Sequence, residues 1–222
     1  MINILIRTTL ILIIGLVLQA CGKQAPENSC NFVQNSEKQR VSWSTTSLPV
    51  KIYIHESVPA EYHNDLELAV KHWNDRSPVQ LLQIVSFNAG GSAKPKRDGF
   101  NVVTWLEKWD SDSMSEQART TINWSKNNIY EADIKVNAET FNYATLDDNL
   151  QGALVDFTSL MVHEFGHVLG LSHNDDIDSV MRPKLGFSQR RGYSVDVNNN
   201  IETDIKSVDV NSLACEYTVH DH

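Results

Sequence analysis

Basic residues are scarce in this chain of 222 residues, in which 19 Lys and Arg stand against 28 Asp and Glu, a formal net charge of −9. A protein whose main partner is nucleic acid carries a surplus of positive charge, so this balance argues against nucleic acid as a partner. Charged residues make up 21% of the chain and hydrophobic residues 41%, which excludes a disordered chain and a coiled coil. The length predicts one domain with a sizeable core.

Long hydrophobic runs are lacking beyond the N terminus. Residues 10–18 are apolar and follow Arg7, but a membrane-spanning helix needs about 20 apolar residues. We therefore interpret residues 1–20 as a lipoprotein signal peptide, with an uncleaved membrane helix as the alternative. Residues 18–21, Leu-Gln-Ala-Cys, resemble a bacterial lipobox, whose cysteine carries the lipid. Cys21 is the predicted lipidation site, and we expect an exported protein anchored to a bacterial membrane, at the outer membrane or cell surface.

Cysteine is also rare, with three residues in the chain. An odd number of cysteines in an exported protein leaves one without a disulfide partner. If Cys21 is acylated, Cys30 and Cys215 form an even pair, and a disulfide between them would close nearly the whole mature chain. Two unrelated thiols are the alternative.

The polar composition of residues 21–47 predicts a lipidated tether in front of a domain of residues 48–222. Apolar residues at helical spacing after Pro59 predict an amphipathic helix. Alternating and β-rich runs predict three strands and a hairpin, at residues 50–54, 80–87, 101–106 and 118–136.

One segment carries the residues of a metal site. Residues 156–170 have the pattern of a helix with Asp156 as its N-cap. His163 and His167 are four residues apart, so both imidazoles project from one face and can bind the same Zn²⁺. Glu164 is the predicted catalytic residue, a general base that takes a proton from a water molecule polarised by the metal.

The pattern continues beyond this helix. Gly170 can adopt the left-handed conformation that ends a helix, and the turn can return His173 to the same metal. Three nitrogen ligands leave one position open, as in a catalytic zinc site. In the alternative, these histidines are ordinary core or surface residues. The remaining five histidines show no ligand spacing and are expected to be exposed or incidental: His55, His63, His72, His220 and His222.

The metal motif is also a family signature. Residues 163–173, His-Glu-Phe-Gly-His-Val-Leu-Gly-Leu-Ser-His, resemble the zinc signature of the matrixins, the metzincin family of the matrix metalloproteinases. Residues 179–183 resemble the Met-turn of that family, which implies that Met181 lies beneath the zinc. The resemblance covers roughly residues 48–218. It implies an α+β metzincin catalytic domain with a twisted mixed β-sheet, an active-site helix and a small C-terminal subdomain ending in a helix.

The chain departs from the matrixin pattern at the places where that family controls latency and binds further metals. It has no Pro-Arg-Cys-Gly segment, so the usual cysteine switch is not expected. Cys30 is conceivable as a private latch, although we prefer its pairing with Cys215. No histidine lies between His72 and His163, where animal matrixins place ligands of a structural zinc, so we predict one catalytic Zn²⁺.

Calcium is possible but unsupported by the sequence. Polar residues alternate in a segment that resembles a calcium loop, at Asp196, Asn198, Asn200 and Glu202. The glycine and the distal glutamate of an EF-hand are replaced by Ile201 and Ser207. This favours an ordinary polar loop.

The resemblance implies a zinc endopeptidase that hydrolyses peptide bonds of extended polypeptides. We expect it to be a monomer. The substrate should pair with a sheet edge, for which we predict residues 118–124. The resemblance also implies a pocket for the side chain after the scissile bond, formed by Ser159, Pro183 and Leu185 and suited to apolar groups. Two alternatives remain: a non-catalytic zinc-containing cell-surface binding protein, and a hydrolase of cell-wall peptides.

Overall fold

A mixed sheet of five strands organises the domain in the computed structural model, which describes residues 29–220. The strand order is β2-β1-β3-β5-β4. Neighbouring strands are parallel except β4, which lies at one edge, antiparallel to β5. The strands are Val50–His55 (β1), Leu82–Ala89 (β2), Asn101–Leu106 (β3), Ala118–Ser125 (β4) and Asn128–Asn137 (β5). The predicted strands and hairpin are confirmed.

Two helices bury their apolar residues beneath this sheet. Helix α1, His63–Asn74, follows a short 3-10 turn that begins after Pro59, and Leu66 and Trp73 on it have no exposed surface. Helix α2, Phe157–Val168, packs against α1 and β4. The short parallel pair Asn142–Ala144 (β6) and Leu154–Asp156 (β7) leads into α2.

The C-terminal part is small. It contains the antiparallel hairpin of Gly192–Val195 (β8) and Ile201–Asp204 (β9), followed by helix α3, Ser207–Leu213. Asp196 caps the turn of this hairpin, because its carboxylate accepts hydrogen bonds from the backbone N–H groups of Asn198 and Asn200. The predicted α+β architecture with a C-terminal helix is confirmed.

The N-terminal boundary predicted at residue 48 is wrong. Phe32, Val41 and Trp43 are buried in the core, and the indole of Trp43 donates to the carbonyl of Val168 at 2.8 Å. Residues 29–47 therefore belong to the domain. Their polar composition concealed them, because the buried side chains are few and show no helical or strand period.

Cys30 and Cys215 form the predicted disulfide, which joins this N-terminal segment to the residues after α3. Cys30 is thus not a latch over the histidines. Residues 1–28, with the predicted signal peptide and Cys21, lie outside the described residues. Within residues 29–220, no helix has the length and apolar character needed to cross a membrane.

Two of the remaining histidines, which were expected to be exposed or incidental, are buried. His55 is 5% exposed and His72 is 1% exposed. His72 lies 2.7 Å from the hydroxyl of Thr203 through Nδ1 and stacks on the ring of Tyr193. This histidine therefore joins α1 to the C-terminal hairpin. His222 lies outside the described residues.

Candidate metal centre

Helix α2 supplies two of the three predicted metal ligands. Asp156 caps the helix, as predicted, because its side chain accepts from the backbone N–H of Ser159 at 2.8 Å. One turn apart along α2, His163 and His167 each donate through Nδ1 to a backbone carbonyl, those of Val180 at 2.8 Å and Leu171 at 2.7 Å. These bonds fix both ring orientations and leave both Nε2 atoms for a ligand.

Gly170 turns the chain so that the third histidine returns to the first two. Its φ of +98° lies in the left-handed region, and a Cβ there would be 2.4 Å from the carbonyl oxygen of Val41. Glycine is required at this position for both reasons. The ring of His173 then lies 4.8 Å from that of His167 and 5.3 Å from that of His163, between centroids.

The three histidines fit a divalent cation. Their ligand nitrogens all lie within 4.8 Å of one another. Burial lowers the pKa of His163, His167 and His173, and their mutual proximity lowers those of His163 and His173 further, so the imidazoles are neutral near pH 7. Because His163 and His167 donate through Nδ1, both Nε2 atoms carry lone pairs that a metal ion can accept. These two Nε2 atoms lie 3.0 Å apart. Three neutral imidazoles arranged in this way fit Zn²⁺.

The Met-turn residue lies directly against α2, in the turn between His163 and His167. Met181 is 1% exposed, and a Cβ on Gly166 would be 2.3 Å from its sulfur. Trp73 on α1 fills the same space, 3.0 Å from that Cβ position. The glycine inside the helix therefore makes room for the methionine and the indole.

Glu164 is buried between α2 and the sheet edge, with 4% of its surface exposed. Its carboxylate Oε2 accepts a hydrogen bond of 2.5 Å from the hydroxyl of Thr120 on β4. Burial raises the pKa of Glu164 to about 7, and the bond from Thr120 acts in the opposite direction. Sequence reasoning missed Thr120, because nothing in β4 itself indicates which residue of α2 it meets.

The structure changes the expected surroundings of Ser159. This residue is 2% exposed. Its hydroxyl donates to Asp156 at 2.6 Å and accepts from the backbone N–H of Arg191 at 2.7 Å. Gly192, the first residue of β8, also packs against α2, because a Cβ on Gly192 would be 2.8 Å from the side chain of Val162. The start of β8 thus covers Ser159, so this residue does not line open space as the predicted pocket requires.

The other two residues of the predicted pocket lie in the segment after the Met-turn. Pro183 is exposed and Leu185 is 9% exposed. The carbonyl of Leu185 accepts a hydrogen bond of 3.0 Å from the side-chain amide of Gln117, the residue before β4. This bond joins the edge strand to the segment that follows Met181.

Comparison with known proteins agrees with this geometry. The family model of the matrixin peptidases matches residues 38–208, more than half of the chain. The chain belongs to the matrixin family. Its metallopeptidase class and its metzincin fold follow from that membership. Matrix metalloproteinase-25 of Mus musculus is 44% identical to this matrixin over 45 residues, a match that covers 20% of the chain and 7% of the mouse protein.

Proposed function

We propose that this matrixin is a zinc endopeptidase that cleaves extended polypeptides, with Glu164 as its general base. One observation supports the proposal above all: a buried carboxylate lies on α2 between two histidines of a three-histidine group that fits zinc. A site that only binds zinc for structural purposes gains nothing from such a base.

His163, His167 and His173 would hold the metal. When bound, Zn²⁺ polarises the scissile carbonyl and the attacking water. Glu164 then takes a proton from the water and returns it to the leaving amine. The carbonyls of Val180 and Leu171 keep two of the imidazoles oriented for this purpose.

The substrate would bind along β4. This strand is at the sheet edge and carries Thr120, which contacts Glu164. A peptide that pairs main chain to main chain with β4 passes beside the general base. Leu185 and Pro183 remain our candidates for the wall that receives the side chain after the scissile bond, and Leu185 favours an apolar group there.

A peptide library tests this function and its two rivals. The probe is the protein from residue 22 onwards, incubated with the library before and after treatment with a zinc chelator, and again after zinc is restored. If the protein is a zinc endopeptidase, the chelator abolishes peptide cleavage and added zinc restores it. Binding without cleavage would identify a cell-surface binding protein, and cleavage confined to added cell-wall peptides would identify the other hydrolase.

We also propose that the protein is exported and anchored to a bacterial membrane through acylated Cys21. The support is the lipobox-like sequence at residues 18–21. Mass measurement of the full-length protein from a membrane fraction should give an N-terminal Cys21 that carries acyl chains, and Cys21→Ser should move the protein to the soluble fraction. Any other N-terminal residue on the mature protein contradicts the anchor.

A further inference from the structure

Thr120 is a polar residue on an otherwise apolar face of β4. Side chains alternate between the two faces of a strand, so residues 118, 120 and 122 point the same way. Ala118 and Ile122 are partly buried and pack against the hydrophobic core. A hydroxyl between two such residues is unfavourable unless it has a hydrogen-bond partner. Its nearer partner is the carboxylate of Glu164, 44 residues later in the chain, at 2.5 Å, and the backbone carbonyl of the same residue lies at 3.3 Å.

The hydrogen bond from Thr120 restricts the carboxylate of Glu164, which is the group that would accept the proton. A glutamate side chain rotates about three torsions, and burial alone does not select the orientation of its carboxylate. The hydroxyl of Thr120 donates to Oε2 at 2.5 Å. With Oε2 held, the other oxygen, Oε1, has a defined position from which to accept a proton.

We propose that Thr120 is a positioning residue for Glu164, so that the strand which takes the substrate also orients the base. The proposal rests on the proposed function. It differs from an ordinary packing role, because Thr120 then acts on the rate of the chemical step and not on the affinity for the peptide. Hydrogen bonds to charged groups have strengths that correspond to about 10- to 100-fold in rate.

The kinetic test uses three substitutions with a peptide that the library shows to be cleaved. Thr120→Val keeps the shape of the side chain without its hydroxyl, and Thr120→Ser keeps a hydroxyl. Thr104→Val is the matched control, because Thr104 is a buried threonine of the same sheet whose hydroxyl donates to the carbonyl of Ile134 at 3.1 Å. Thr120→Val should lower kcat by about 10- to 100-fold with KM nearly unchanged. Thr120→Ser and Thr104→Val should keep kcat near that of the parent.

A second readout is independent of turnover. In zinc-free protein labelled with ¹³C-glutamate, the side-chain carboxyl resonance of Glu164 is the one that disappears in Glu164→Gln. Thr120→Val should shift this resonance, whereas Thr104→Val should leave it in place. If Thr120→Val does not fold, as judged by its unfolding transition, Thr120→Ala is measured in the same two experiments.

Three results would overturn the proposal: an unchanged kcat in Thr120→Val, a change confined to KM, or an unshifted resonance. If the parent protein cleaves no peptide at all, the proposed function fails. The resonance then still decides whether Thr120 holds the carboxylate of Glu164.

Discussion

The carboxylate of Asp209 accepts a hydrogen bond of 2.5 Å from the hydroxyl of Ser179. Its second oxygen accepts from the backbone N–H of Val180 at 2.8 Å. The carbonyl of Val180 in turn accepts from Nδ1 of His163. Helix α3 is therefore connected to His163, the first of the three candidate metal ligands, through the Met-turn, although α3 itself lies outside the site.

Asp209→Ala should destabilise the protein and weaken its zinc binding. The substitution leaves a buried hydroxyl and a buried N–H without their acceptor, at a cost of about 2–4 kcal/mol. Loss of a group bonded directly to a metal ligand typically lowers metal affinity about 10- to 100-fold. Asp209 acts one hydrogen bond further away, through Val180, so we expect a loss of about 10-fold, the lower end of that range. Urea unfolding and zinc competition with a chelator measure the two effects. The exposed Asp178 provides the control, Asp178→Ala. Unchanged zinc affinity in Asp209→Ala would contradict the connection.

Gly166→Ala should destabilise the protein, although alanine is the better helix former by about 1 kcal/mol. The new Cβ would be 2.3 Å from the sulfur of Met181, and overpacking of this kind costs about 1–3 kcal/mol. The same substitution should cost less in a Met181→Ala background, because the clash with the sulfur is gone and only the close contact with Trp73, 3.0 Å from the new Cβ, remains. Urea unfolding measures both effects. If Gly166→Ala lowers the free energy of unfolding equally in the two backgrounds, contact with Met181 is not the reason for glycine at residue 166.

His72 should make the protein less stable in acid. Burial lowers the pKa of His72 from 6.5 to about 4, while the nearby Asp75 raises it and Lys71 and Arg76 lower it. The unfolded chain therefore binds a proton from about pH 6.5 downwards, whereas the folded protein does so only near pH 4. This difference removes up to about 3 kcal/mol of stability as the pH falls through that range.

The variant His72→Asn isolates this contribution. It loses the stacking on Tyr193 at every pH, so it should be less stable than the parent at pH 7. The difference between the two free energies of unfolding should shrink between pH 7 and pH 4. A difference that is constant over this range would show that His72 does not stay neutral in the folded protein.

The disulfide between Cys30 and Cys215 should contribute about 2–5 kcal/mol to stability. It links residues that are 185 positions apart, and the closed loop lowers the conformational entropy of the unfolded chain. Replacement of both cysteines by serine should lower the urea midpoint by a corresponding amount. Parent protein treated with a reductant is the matched control and should unfold like the variant. Identical midpoints for the oxidised parent and the variant would mean that the bond does not constrain the unfolded state.

The features predicted correctly from the sequence are those encoded over short distances. The spacing of His163, His167 and His173 and the glycine before the last of them bring the three imidazoles together locally. Alternation of apolar residues likewise identified the strands of the main sheet. Cys30 and Cys215 are distant in sequence, and their pairing was predicted from the number of cysteines together with the assumption that Cys21 is acylated.

What the sequence did not reveal depends on packing between distant elements. The contact of Thr120 with Glu164 exists because β4 crosses α2, and the burial of Ser159 exists because β8 begins against the same helix. Trp43 reaches the core from a polar stretch with no regular period. No local pattern marks such contacts, since each is formed by residues whose neighbours in sequence point elsewhere.

The central claim is that zinc binding and proton transfer belong to different residues of one site. Glu164→Gln removes the base but keeps the shape of its side chain and all three histidines. Zinc content and peptide cleavage, measured on the same sample of this variant, test the claim most directly. We expect one zinc per chain, as in the parent, and a rate of cleavage lower by about two to four orders of magnitude. Cleavage near the parental rate with zinc bound would contradict the account.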